Sequence, residues 1–253
     1  MRGISRRMVL LVLGVPAVGV VAAGLAYFAW NREPAFYRAA LETEAATLAH
    51  GSNELLEQAS ALVTDIRRQG EWRSLFTANQ INGWLACDLP KNHASLLPPG
   101  LEQPRVALEK GRILVACRRA VGPMATVMAI EVEPYLLQPN ELAVRICSAR
   151  AGWIPLPLEP ILQQIAHATT EAELPLRWDQ AGGDPVAVIT LEPRRDDQRV
   201  LSVESLEIQA GELYVAGTTR TGDWPSADPG PDSAPKPPVL EARLPEEDEP
   251  AAR

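Results

Sequence analysis

The 253-residue chain holds only three histidines, three cysteines and three lysines (Lys91, Lys110, Lys236), and aromatic residues make up 5% of it. His50, His93 and His167 lie far apart, and neither H-x-x-x-H nor H-E-x-x-H occurs, so no zinc-protease motif is present. Cys87, Cys117 and Cys147 include no C-x-x-C, which removes a thioredoxin-type motif and a legible zinc site. Their disulfide status stays open: one bridge plus a thiol is allowed outside the cytoplasm, and three small apolar residues is the favoured expectation. No G-x-S-x-G, Walker A or G-x-G-x-x-G stretch is found. Gly182-Gly183-Asp184-Pro185 reads as a turn, since no strand-to-helix context surrounds it. A net charge of −8 argues against a nucleic-acid partner, whose footprint is a basic surface.

Glu131 and Glu133 share a strand face and deserve a test as paired acids. Their alternation with Met128, Ile130 and Val132 marks them as the solvent side of a half-buried strand. No acid, base and nucleophile can be assigned roles. The expectation is therefore a non-enzyme with no catalytic residues, no metal and no cofactor.

What is present begins with Arg2, Arg6 and Arg7, followed by the uncharged run Met8–Trp30. As a helix that run reaches about 34 Å, slightly more than the ~30 Å hydrocarbon core of a bilayer. The basic excess on its N-terminal side predicts residues 1–7 in the cytoplasm and the rest outside. An uncleaved, single-pass signal-anchor in the cell (inner) membrane is expected, with the lipid bilayer as partner through residues 8–30. The alternative is a cleaved signal peptide, because Ala22-Ala23-Gly24 offers small residues at a cleavage-like spacing.

Pro34 opens a helical pattern to about Gln69, expected as one amphipathic linker helix, 34–69. Leu41, Leu48, Leu55 and Leu62 recur every seven residues, a coiled-coil-like seam. It can pack on the chain's own sheet, stand as a stalk, or pair with a second copy as a homodimer. Phe76-Thr-Ala-Asn-Gln-Ile81 predicts a helix start, with Thr77 as N-cap and Gln80 completing a capping box. Pro90 is expected to stop that helix, and Pro98-Pro99-Gly100 to form an irregular loop.

From Pro104 the apolar period becomes two. Strand pairs are predicted around Lys110-Gly111, around Pro139-Asn140 and around Ala210-Gly211, with a further strand at 185–191. The hairpins Val106–Ala116 and Leu206–Ala216 resemble each other, which hairpin physics alone can produce. Gly152-Trp-Ile-Pro-Leu-Pro-Leu158 leads into a crossover helix, 159–170. Residues 221–253 are expected to be a disordered, acidic Pro-rich tail, with eight prolines and eight acids in 223–253.

Several segments in order resemble the YpmS-like family of membrane-anchored bacterial proteins of unknown function. These are Phe76-Thr-Ala-Asn-Gln-Ile-Asn-Gly-Trp-Leu85, Glu133-Pro134, Gly152–Leu158, Leu174-Pro175 and Val203-Glu-Ser-Leu-Glu-Ile208, within residues 72–219. The chain departs from that pattern in its heptad-like helix and acidic tail. The resemblance implies an extracytoplasmic α+β domain and carries over no catalytic residue.

The expected fold class is α+β: a single transmembrane helix, the long linker helix, then a twisted antiparallel sheet with helices packed on one face, over 72–220. The expected function is non-catalytic binding of a lipid or other apolar ligand by this envelope domain. Trp84, Leu114, Ile161, Ile165 and Ile189 are the candidate apolar cavity residues. The alternative is an envelope scaffold or regulator acting through helix 34–69 and the tail.

Overall fold

A computed structural model describes residues 30, 32–121, 124–171, 174–191 and 199–221. Two helices come first, α1 (Ala35–Leu41) and α2 (Ala45–Ile66). Strand β1 (Gly70–Thr77) and helices α3 (Ala78–Cys87) and α4 (Leu89–Asn92) follow, then a single 3-10 turn at Ala94–Leu96. The remaining elements are β2 (Leu101–Glu109), β3 (Arg112–Val121), β4 (Met124–Gln138), β5 (Glu141–Ala151), β6 (Ile154–Pro155), α5 (Glu159–Glu171), β7 (Leu176–Ala181), β8 (Asp184–Thr190), β9 (Arg199–Gln209) and β10 (Glu212–Thr221).

The strands form two sheets, both antiparallel: β1-β10-β9, and β2-β3-β4-β5-β8-β7 with β6 beside β5. This corrects the expected single sheet with helices on one face. Strand β1 carries the difference. Its Gly-Glu-Trp-Arg-Ser-Leu-Phe-Thr sequence has too few apolar residues to announce a strand, yet it pairs with β10 along its whole length. Trp72 and Ser74 face inward from it.

The expected membrane-crossing helix is also corrected. Residues 8–29 lie outside the described residues, and among those described no helix is long and apolar enough to cross a membrane. The longest, α2, carries Glu54, Glu57 and Asp65 on its exposed side, opposite a single apolar stripe. The membrane, transmembrane and signal-anchor assignments therefore have no support in the fold. Of the expected tail, Thr221 still belongs to β10, and 222–253 lie outside the described residues as well.

The linker helix 34–69 is two helices rather than one. The break falls at Glu42–Glu44, where Glu44 takes an extended ψ of 140° as the N-cap of α2. His50-Gly51-Ser52, the obvious weak point in the sequence, stays helical because α3 crosses there. A Cβ on Gly51 meets the Asn79 carbonyl oxygen at 2.7 Å, and one on Gly83 meets the Ser52 nitrogen at 2.5 Å and the Leu48 carbonyl. Two glycines thus let the helix backbones touch. Leu48 is buried inside this chain, and Leu41 packs on a core of Tyr37, Ala116, Val127 and Ala129. Leu55 and Leu62 are half-buried.

The capping box at α3 is present as the sequence predicts. Gln80 donates its backbone N–H to the Thr77 hydroxyl, and Thr77 donates its N–H to the Gln80 side chain. Pro90 sits in the first turn of α4, where its missing N–H costs nothing, so the helical path continues beyond it. Pro98–Leu101 is a hydrogen-bonded turn, with Pro99 second, Gly100 at φ 80° third, and the Leu101 N–H donating to Pro98 at 3.1 Å.

Exposed sheet edges invite pairing with other chains, and two are covered here. Asn82 of α3 donates Nδ2 to the Val106 carbonyl at 2.9 Å and accepts the Val106 N–H at 2.8 Å. It mimics the missing strand beside β2. Asn140, at φ 64° in the β4–β5 turn, does the same for β9. It donates Nδ2 to Leu201 at 2.9 Å and accepts the Val203 N–H at 2.7 Å.

Candidate functional site

Strand β2 begins irregularly. Its pairing with β3 shifts between Glu102 and Arg105, and Gln103 has a φ of 51°. This bulge re-aims the strand, as bulges near functional sites often do. Pro104, Arg105 and Val106 are consequently buried in succession, where regular alternation buries only every second residue.

Arg105 faces Ala116 across the ladder, on the sheet side covered by α1. Small residues at Ala116 and Ala129 leave room there for Tyr37, which is fully buried. The Tyr37 hydroxyl donates to the Gln103 carbonyl at 3.0 Å and so braces the bulge. Burial pushes its phenol up to about 12 despite the neighbouring Arg105 cation, so Tyr37 is neutral at physiological pH.

Arg105 is only 7% exposed. Its Nε donates to the Ala40 carbonyl at 3.4 Å and its Nη1 to the Pro104 carbonyl at 2.8 Å. Burial lowers its pKa from the ordinary guanidinium value, with Tyr37 and Cys87 opposing. The group stays charged, as arginine does in proteins.

A cavity of about 570 Å³ opens between the end of α3, α4, the 94–100 segment and the start of β2. Its walls include Leu85, Leu89, Leu97, Pro98 and Leu101, and Arg105 lies at one side. The far wall is pinned from outside: Asn92 donates to Asp88 at 2.7 Å, and His93 lies against both Asp88 and the Trp84 ring. A volume of this size falls in the roughly 300–1,000 Å³ range of small-molecule sites.

The five residues expected to line a cavity are spread over four elements. Trp84 lies on α3, Leu114 on β3, Ile161 and Ile165 on α5, and Ile189 on β8. None lines this cavity or a second one of about 480 Å³ beside Trp72 and Gly217. Helix α5 packs chiefly near β7, away from α3, so the two helices do not enclose a common space. The residues that form the site instead, Leu85, Leu89, Leu97 and Arg105, had one legible signal. Apolar residues fell where two proline-rich stretches already forced an irregular segment.

The acids that the sequence singles out as a pair are engaged in ion pairs away from this cavity. Glu131 accepts from Arg112 at 2.6 Å, and Glu133 accepts from Arg145 at 3.0 Å, whose other arm reaches Asp184 at 2.7 Å. These cross-strand pairs hold each carboxylate of the Glu131–Glu133 face against an arginine of a neighbouring strand. The three cysteines are free and half-buried, and burial pushes the thiols of Cys117 and Cys147 up. Among the described residues no group of three or more His, Cys, Asp or Glu can hold a metal ion.

No family model, no curated protein and no solved structure matches this chain.

Proposed function

We propose that the chain is a non-catalytic binding module that takes an apolar small molecule, such as a single-chain lipid, in the cavity between α3, α4 and β2. The observation that carries this reading is a preformed space of about 570 Å³ walled by leucine and proline side chains. The arginines at positions 2, 6 and 7 ahead of an uncharged run support an extracytoplasmic location, as does the resemblance to the YpmS-like family. A reporter active only outside the cytoplasm, fused after Arg253, tests the location.

Organic extraction of the purified full-length chain followed by mass spectrometry tests the ligand. A bound amphiphile is expected from the wild type and its loss from Leu97→Glu, which sets a carboxylate in the half-buried apolar wall. Circular dichroism reports whether the variant is folded. A folded wild type that carries nothing, and that binds no added dodecyl-chain amphiphile, overturns the reading.

A second reading is contact with another copy of this chain along α2. Leu56 and Val63 stand 43% and 49% exposed, seven residues apart on that helix. Sedimentation equilibrium of wild type against Val63→Glu decides it, with a dimer in the wild type alone as the supporting result.

A further inference from the structure

We propose that the cavity holds its ligand by an anionic oxygen head group, a carboxylate or phosphate monoester, seated against Nη2 of Arg105. This deepens the binding reading above and rests on it. A buried charge is expensive unless paired and hydrogen-bonded. Arg105 is more than nine-tenths buried, and no carboxylate among the described residues lies within ion-pair distance of it. Two carbonyls, Ala40 and Pro104, satisfy Nε and Nη1. Among the described residues Nη2 has no hydrogen-bond partner, it is not one of the fully buried nitrogens, and the residue lines the cavity, so this nitrogen is the one left to open space.

A guanidinium offers five N–H donors in a planar fork, so the two carbonyls leave donors over. The carbonyls also fix the plane of the fork. An arginine held this way is preorganised for an oxyanion and loses little freedom on binding. Tyr37 does not compete, because its hydroxyl is committed to the Gln103 carbonyl. Glu102 stands exposed at the rim and makes no ion pair with Arg105. The chemistry of the site is therefore one cation beside an apolar wall of Leu85, Leu89 and Leu97, which fits an amphiphile with one negative head. A purely structural Arg105 that ties the last turn of α1 to β2 predicts no preference among head groups.

Calorimetric titration of the full-length chain, stripped of lipid, with dodecanoate, dodecyl phosphate and dodecanol separates these cases. At least one of the two anions is expected to bind about tenfold or more tighter than the alcohol, the effect of one charge-assisted hydrogen bond or more. The tighter anion identifies which head group the site is shaped for. In Arg105→Met that preference is expected to fall below about twofold while dodecanol affinity is kept. In Arg105→Lys it is expected to be partly retained, because the charge stays and the fork is lost. Equal affinity of the wild type for all three compounds overturns the head-group inference and leaves the apolar cavity standing. Should none of the three bind, the underlying reading fails with it. The wild-type comparison decides the matter even where Arg105→Met does not fold.

Discussion

The backbone N–H of Gly111 donates to the Ile208 carbonyl and that of Gly211 donates to the Leu108 carbonyl, each at 2.9 Å. The two hairpins that look alike in sequence are thus joined turn to turn by a reciprocal pair of bonds. Together with Asn82 and Asn140, these turns occupy outward-facing backbone groups along the free edges of β2 and β9. Two sheets that share no ladder are held together by edge capping.

Gly111 and Gly211 have φ values of 73° and 83°, and a Cβ at either position meets nothing within 4 Å. Substitution by alanine therefore meets no clash but strains the backbone by about 1–2 kcal/mol at each site, and a turn that shifts to relieve the strain gives up the shared bonds. The turns exchange bonds, so the double variant is expected to lose less than the sum of the singles. Urea denaturation of the four proteins measures this. Strict additivity would show that the turns do not support one another.

Gly83→Ala is expected to be worse than either, because backbone atoms of Leu48, Gly51 and Ser52 stand where the methyl must go. Backbone cannot swing aside as a side chain can. The α2–α3 crossing must open, a loss of about 1–3 kcal/mol or more. A change in melting temperature no larger than that of an exposed helix substitution, such as Glu57→Ala, contradicts the close crossing.

Asn82→Ala leaves the buried N–H and C=O of Val106 without partners, about 1–3 kcal/mol for each orphaned group. Asn82→Asp is the sharper test. An ionised carboxylate accepts the N–H but faces the Val106 carbonyl with no donor, while its protonated form can serve both. The variant carboxyl thus has a raised pKa in the folded state, and stability is expected to rise as pH falls through that value. A variant whose stability stays flat from about pH 4 to about pH 8 argues against the edge clamp.

Tyr37 sets the alkaline limit. Its folded-state pKa, raised by burial to about 12, lies above the ordinary tyrosine value of 10.0. Its contribution is fully present below pH 10.0 and is lost as pH rises toward about 12, where the unfolded chain gives up its proton and the folded one does not. The melting temperature of the wild type is expected to fall more steeply across that window than that of Tyr37→Phe. The phenylalanine variant starts lower, having lost the bond to Gln103. Parallel slopes for the two proteins count against a buried, neutral Tyr37.

Elements governed by neighbours in the chain were legible in the sequence. The capping box needs only Thr77 and Gln80, three residues apart, and it forms. The turns at Gly111, Asn140 and Gly211 need left-handed backbone, which glycine and asparagine supply most cheaply, and all three turns occur there. Alternating apolar residues marked β3, β4, β8, β9 and β10 because one face of each is covered.

What tertiary structure alone decided involves residues distant in sequence. Strand β1 is a strand because β10, 135 to 149 residues later by their register, offers it a ladder (Gly70 to Thr219, Thr77 to Glu212). Gly51 stays helical because Gly83 lets α3 lie against it, although as an isolated residue glycine weakens a helix. Arg105 illustrates the limit best. Period-two reading puts it opposite Val106 and Leu108 on a face free to meet water. The bulge at Gln103 and the roof made by α1 bury that face and leave the guanidinium beside an apolar cavity. Local sequence sets the spacing of side chains along a strand, while burial depends on what packs above it, and that covering comes from residues some 65 positions away.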